Sequence, residues 1–346
     1  MVASPHPGSK VGGLKSTPLL YGMAILGPAI VTAAAVPAWR RWCVGRGWVD
    51  DPGHRKIHAV PVPLAGGFAV FTGLALALLL GLVAIKLGWL PVDSLAPMEY
   101  GMGRRWGALL GIFLGALGML LLGAWDDARE LPALIKFAGQ AAIALLVAAL
   151  GVRVTLFVSH TGFSYAVTVL WILTVTNALN FNDNMNGLCA GLGLIAAAWF
   201  GLFAAVLGQY LVAILAFAMA GALLGYLPFN YPRASVFLGD AGSHLVGYLL
   251  SVIAILPHFY SVRYGAVKPL AVLAPLLVLA VPLLDLAVVV VVRTWNRRPF
   301  WLGDTNHFSH RLVRAGLTKP NSVLVLWGAA VGSGAIAFFY AHPPRW

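Results

Sequence analysis

The chain has 346 residues, 60% of them hydrophobic and only 10% charged, with 23 Lys and Arg against 11 Asp and Glu for a net charge of +12. A water-soluble domain carries roughly 25% charged residues, so these proportions exclude a soluble globular protein and leave an all-α polytopic membrane protein. The basic excess suits anionic lipid headgroups or an anionic substrate and argues against nucleic acid. Cys43 and Cys189 give neither a disulfide framework nor a metal-ligand spacing.

Residues 1–17 are polar and small, and the apolar run after them has no A-x-A cleavage site, so a retained first helix is expected instead of a signal peptide. Apolar runs bounded by charge, Pro or Gly predict about ten transmembrane helices, near 18–38, 65–87, 106–124, 134–151, 165–181, 187–207, 210–228, 242–258, 269–292 and 321–341. They form a single integral-membrane catalytic domain over 18–341, followed by a short tail at 342–346. Ten spans put both termini on one side.

Fourteen of the Lys and Arg residues fall on the connections 39–64, 125–133, 182–186, 229–241 and 293–320, counting Lys136 just inside the fourth helix. The positive-inside rule makes that face cytoplasmic and the termini extracytoplasmic. Eight carboxylates share the face, whereas Asp93 and Glu99 lie opposite and Asp285 falls within the ninth span. Their segregation predicts an active site on the cytoplasmic face.

Several features read as structural. Gly107, Gly111 and Gly115 at four-residue spacing predict close helix packing. The alternating segment 152–162 suits a small hairpin. Trp39, Trp89, Trp106, Trp125, Trp171, Trp295 and Trp327 near helix ends suit an interfacial belt. No internal repeat is evident, and exposed helix faces leave room for a homodimer.

Five polar segments carry the chemistry. Residues 49–67 mix Asp50, Asp51, Arg55, Lys56 and His58 with Pro and Gly, a rigid turn whose basic groups either bind a pyrophosphate or set orientation. Asp126 and Asp127 end an apolar helix, where adjacent carboxylates share a cation, divide a proton, or simply cap the helix. Residues 177–187 hold Asn177, Asn180, Asn182, Asn184 and Asn186 beside Asp183. Desolvated amides are costly unless bonded, so this density points to a ligand. Phe237-Leu-Gly-Asp240-Ala-Gly-Ser243 opens a helix whose amides attract phosphate, with Asp240 needing a divalent cation between, unless it is only a cap. The 293–320 loop brings His307, His310 and Arg311, which suit phosphates or anionic lipid; zinc lacks a third ligand beyond Asp304.

Taken together, the chain resembles the polyprenyl-phosphate N-acetylhexosamine-1-phosphate transferases, glycosyltransferase family 4. The resemblance covers roughly residues 18–340 and rests on the order Asp50/Asp51, Arg55-Lys56, His58, Gly66-Gly67; Asp126-Asp127, Lys136, Gln140; Asn177, Asn180, Asp183, Asn186-Gly187; Phe237 to Ser243; and His307/His310. It implies a bacterial cytoplasmic-membrane enzyme at the first membrane step of a cell-envelope glycan such as lipopolysaccharide. A polyprenyl (undecaprenyl) phosphate attacks a UDP-amino sugar, Mg²⁺ or Mn²⁺ assists, and UMP leaves. It also implies Asp240, Asp126 and Asp127 at the metal, and Asp126, Asp127, Asp183, His307 and His310 as catalytic. Arg55, Lys56, His58, Lys136, Asn177, Asn180, Asn186, Phe237 and Arg311 would bind substrates. Asn186 and Ser309 depart from the family pattern, standing where many members have Asp and His. The Arg-Lys-x-His segment favours the branch using UDP-GlcNAc over UDP-MurNAc-pentapeptide. A nucleotide-sugar or lipid carrier is the rival reading, but a carrier needs polar groups near the midplane, and Asp285 alone qualifies.

Overall fold

In a membrane every backbone amide must find its partner within the segment, so apolar runs fold as helices. The computed structural model describes residues 17–50, 61–89, 106–154, 160–256, 269–299 and 306–342. Its helices are α1 (Thr17–Gly45), α2 (Gly66–Lys86), α3 (Trp106–Arg129), α4 (Ala133–Ala149), α5 (Thr161–Phe181), α6 (Leu188–Val206) and α7 (Tyr210–Tyr226). The chain continues with α8 (Gly239–Ile255), α9 (Ala274–Val278), α10 (Ala280–Trp295), α11 (Phe308–Arg314) and α12 (Lys319–Ala341). A two-residue antiparallel ladder joins β1 (Val49–Asp50) to β2 (Val62–Pro63), with Val49 opposite Pro63.

Among the described residues seven helices, α1, α2, α3, α5, α6, α7 and α12, are long and apolar enough to cross a membrane. The bent pair of 271–278 and α10, meeting at 70°, makes an eighth if counted as one span. Helices α4 and α8 are apolar but only 17 residues long. Each predicted interval overlaps a helix, and Gly208, at φ 66°, ends α6 and separates it from α7. Ile30, Leu170 and Ile336 are 66–68% exposed, apolar surface that only lipid or a partner can cover. The chain is a multi-pass membrane protein.

Helix α8 is the axis. Small residues crowd its first turn, nearly all of the helix is buried, and α2, α3, α5 and α6 pack around it. Gly123 of α3 lies against the Asp240 carbonyl, where any Cβ would collide, so α3 reaches the first turn of α8. One turn further along the same face comes Asp127. Gly67 meets the Gly242 backbone in the same way, and the amides of Gly66 and Gly67 donate to the carbonyls of Phe237 and Leu238 at 2.9 and 3.1 Å.

The glycine reading holds for Gly111 and Gly115, whose added Cβ atoms would strike Leu150, Tyr248 and Val147. The tryptophan belt holds only in part. Trp89, Trp106, Trp125 and Trp295 are exposed. Trp39 instead donates to Thr72 Oγ1 at 3.0 Å and Trp171 to the Ser251 carbonyl at 3.0 Å, while Trp327 packs on Gly191. Their indole N–H groups or flat faces have closer partners inside the bundle than at its rim. Residues 155–159 of the expected hairpin lie outside the described residues; Val152–Val154 form no strand there.

Candidate active site

A cleft of about 780 Å³ opens where the ends of α3, α5 and α8 meet the start of α4. It gathers Asp126, Asp127, Lys136, Asn177, Asn180, Asp183, Asn186, Phe237 and Asp240, all expected from the sequence. Leu64, Leu131, Ala133 and Phe137 make an apolar wall beside them. Arg55, Lys56 and His58 lie outside the described residues. His307, His310 and Arg311 do not line the cleft.

Lys136 is the hub. Its Nζ lies 2.6 Å from Asp126 Oδ2 and 2.9 Å from Asp240 Oδ2, and donates to Asn180 Oδ1 at 3.2 Å. Asn180 Nδ2 donates to Asp240 Oδ1 at 2.6 Å and to Ser243 Oγ at 2.9 Å. An ammonium thus sits between two carboxylates contributed by different helices, which shows that the site stabilises positive charge at that point. Asp126 Oδ1 also accepts from the Leu131 amide at 2.8 Å, which turns the chain from α3 into α4.

Asp127 has a different task from the one its neighbour performs. Its oxygens accept from the amides of Asp240 (2.8 Å) and Ala241 (3.0 Å), so it caps the first turn of α8 from a separate helix. An anionic side chain is favourable against those free N–H groups. The donor atoms that lie together, within 4.8 Å of one another, belong to Asp126, Asp240 and His244. His244 Nδ1 is buried without a partner among the described residues, and its Nε2 lies 3.3 Å from the amide nitrogen of Gln140. Two carboxylates and an imidazole suit Mn²⁺, and the carboxylates suit Mg²⁺. The sequence reading missed His244, although its place four residues after Asp240 puts both on one helix face.

The asparagine-rich turn is more structural than its composition suggested. Asn182 Nδ2 donates to the Ala178 carbonyl (2.8 Å) and Asn184 Nδ2 to that of Phe181 (2.7 Å), closing the end of α5. Asn186 Nδ2 reaches the Pro232 carbonyl at 3.3 Å, and Asn177 Nδ2 donates to Gln140 Oε1 at 2.7 Å. Gly187, at φ 78°, starts α6 with its amide on Asn230 Oδ1 at 2.6 Å. Asp183 is left facing the cleft. Burial, then the negative charges of Asp240 and Asp127, pushes its carboxyl up to about 8.

Ser309 is buried and donates to Asn184 Oδ1 at 2.7 Å, tying α11 to the asparagine turn. Burial, then the neighbouring His307 and Arg314, lowers His310 below the usual histidine range.

Fold and cleft together define a multi-pass membrane protein with a carboxylate-rich cleft bordered by apolar side chains. Residues 109–258 match the family model described as glycosyl transferase family 4. The chain is 33% identical to decaprenyl-phosphate N-acetylglucosaminephosphotransferase of Mycobacterium tuberculosis, over 94% of this chain and 84% of the relative. It is 30% identical to the probable undecaprenyl-phosphate N-acetylglucosaminyl 1-phosphate transferase of Bacillus subtilis, over 84% and 76%. Against the undecaprenyl-phosphate alpha-N-acetylglucosaminyl 1-phosphate transferase of Escherichia coli K12 the identity is 29%, over 87% and 79%. The chain belongs to glycosyl transferase family 4.

Proposed function

We propose that this chain transfers N-acetylglucosamine 1-phosphate from its UDP-sugar to polyprenyl (undecaprenyl) phosphate in a bacterial cytoplasmic membrane, releasing UMP. The observation that carries the reading is Lys136 held between Asp126 and Asp240 beside the apolar wall of Leu131, Ala133 and Phe137. Such a cleft suits a substrate that is a phosphate at one end and a hydrocarbon at the other. In this reading α4, α8 and the bent pair complete ten spans, both termini are extracytoplasmic, and the cleft faces the cytoplasm, where the UDP-sugar is.

A phosphate monoester has a second pKa near 6, so the lipid phosphate needs little deprotonation at neutral pH. The obstacle is bringing two anions together. The lipid oxygen forms a bond to the β-phosphorus, the bond from that phosphorus to the bridging oxygen breaks, and UMP leaves with the electron pair. Lys136 turns from the carboxylates to the phosphates. Asn180 keeps Asp240 in place, and Asp127 fixes the turn that carries Asp240. Asp183, holding its proton at neutral pH, donates to a phosphate oxygen, while Phe237 and Asn186 border the nucleotide. Asp126, Asp240 and His244 would hold Mg²⁺ or Mn²⁺, which when bound offsets the charge of the diphosphate.

The test is purified protein in detergent with undecaprenyl phosphate, Mg²⁺ and, in parallel, UDP-GlcNAc, UDP-GalNAc and UDP-MurNAc-pentapeptide. UMP and a lipid-linked product from UDP-GlcNAc are expected. Product from UDP-MurNAc-pentapeptide alone would reassign the donor. Folded protein that makes no lipid product from any donor, yet takes up nucleotide sugar in proteoliposomes, would be a carrier.

A further inference from the structure

Among the described residues, Asp285 is the carboxylate that does not line the active-site cleft. It lies in the apolar helix α10 and is 1% exposed, a placement that is costly unless both oxygens are bonded. Both are. Oδ2 lies 2.6 Å from Nδ1 of His307, and Oδ1 accepts from the Phe308 amide at 2.6 Å. One side chain therefore holds the histidine ring and starts the helix that carries His310 and Arg311. Among the described residues Asp285 is the ring's only hydrogen-bond partner. His307 is 5% exposed and stands edge-on to Phe181 at 6.0 Å between ring centroids; Phe181 lines the cleft, and Arg293 lies over its ring at 5.1 Å.

We propose that Asp285 is a positioning residue for the transfer: it holds the proton of His307 on Nδ1 and so fixes Nε2 on the ring that backs Phe181 at the cleft. The proposal rests on the role at the phosphates that the family resemblance implies for His307, which does not itself line the cleft. A carboxylate behind an imidazole fixes both tautomer and orientation, and losing such a partner typically lowers activity about 10–100-fold. It also explains why an apolar span keeps an acid: the carboxylate meets a loop residue, not a midplane path.

Asp285→Asn tests this, because its carbonyl oxygen still accepts from Phe308 while its amide now donates to Nδ1 and forces the proton to Nε2. Steady-state kinetics are compared for the wild type, Asp285→Asn, His307→Gln and the double variant, with thermal unfolding of each. The expectation is an unchanged melting midpoint, kcat lower by about 10–100-fold, KM for the UDP-sugar within a few-fold, and no further loss when Asp285→Asn is added to His307→Gln. An unchanged kcat in Asp285→Asn, or the same loss in both backgrounds, overturns the proposal. If His307→Gln alone keeps full activity, the phosphate role of His307 falls, and with it any step for Asp285 to assist; a wild type without transfer fails the proposed function itself. Should Asp285→Asn not fold, nitrogen NMR of histidine-labelled wild type decides. A protonated Nδ1 in the resonance missing from His307→Gln supports the pairing, and a bare Nδ1 overturns it.

Discussion

Two acid–base clusters in this protein are built in opposite ways. Around Lys136 two carboxylates share one ammonium at the rim of an open cleft, and the same oxygens suit a metal or a phosphate neighbour. Around Asp285 one carboxylate is saturated by one imidazole and one amide, closed off behind Phe181. The first cluster can exchange partners and the second cannot. The proposed reaction, which brings two anions and a cation together, needs the former at the point of reaction and the latter as a brace behind it.

The comparison is broken most severely at Asp240. Asp240→Asn removes the charge that pairs with Lys136 and one of the two oxygens that accept from Lys136 and Asn180, and kcat is expected to fall on the order of a thousandfold in protein that still unfolds cooperatively. Unaltered turnover would take Asp240 out of the reaction. Lys136→Met leaves Asp126 and Asp240 facing each other without a cation. Its expected cost lies between the ~1 kcal/mol of an exposed pair and the ~3–5 kcal/mol of a buried one. The distinguishing readout is thermal unfolding with and without Mn²⁺: the ion should raise the variant's midpoint more than the wild type's. Equal shifts would mean that Lys136 and the metal do not compete for the same carboxylates.

Asp127→Ala sharpens the contrast between neighbours. As a cap on α8 it should cost about 1 kcal/mol of stability, and the loss should persist at saturating Mn²⁺. A gap to the wild type that widens as Mn²⁺ is added would restore Asp127 to the metal site. Asp183 gives a pH-dependent effect. Its carboxyl, raised to about 8 in the fold, binds a proton that the unfolded chain releases near the ordinary aspartate value. That contribution is fully present below about 4 and is lost as pH rises through about 8. Asp183→Asn should therefore gain thermal stability over the wild type progressively between pH 5 and 8.5, by calorimetry in detergent; a constant gap would refute the raised value. Smallest of all, Ser309→Ala loses the bond to Asn184, a residue of the cleft lining, about 1 kcal/mol, lowering the melting midpoint slightly.

Much of this was legible in the sequence because polar residues are rare in an apolar chain and so mark themselves. The places of the helices, the break at Gly208 and the meeting of Asp126, Asn180, Asp183 and Asp240 in one cleft followed from that contrast, although α1 runs on to Gly45 and α3 to Arg129, past the expected ends at 38 and 124. Partner choice did not. Asp126 and Asp127 look alike as neighbours, yet Gly123 lets α3 approach α8 so closely that one carboxylate caps a foreign helix while the other meets Lys136. Asn182 and Asn184 looked like ligand groups because composition does not reveal which backbone carbonyls a turn leaves open. The pairing of Asp285 with His307 joins positions 22 residues apart, across the connection between α10 and α11. No local pattern encodes it.

The central claim is that a phosphosugar, not a bare sugar, moves to a lipid phosphate in the Lys136 cleft. It is tested most directly with UDP-GlcNAc carrying a radioactive β-phosphate, undecaprenyl phosphate and Mg²⁺, comparing the wild type with Asp240→Asn. The account predicts that the label passes into the organic-soluble lipid while unlabelled UMP is released, and that Asp240→Asn abolishes both. Label left in soluble UDP, or equal transfer by the variant, would contradict it.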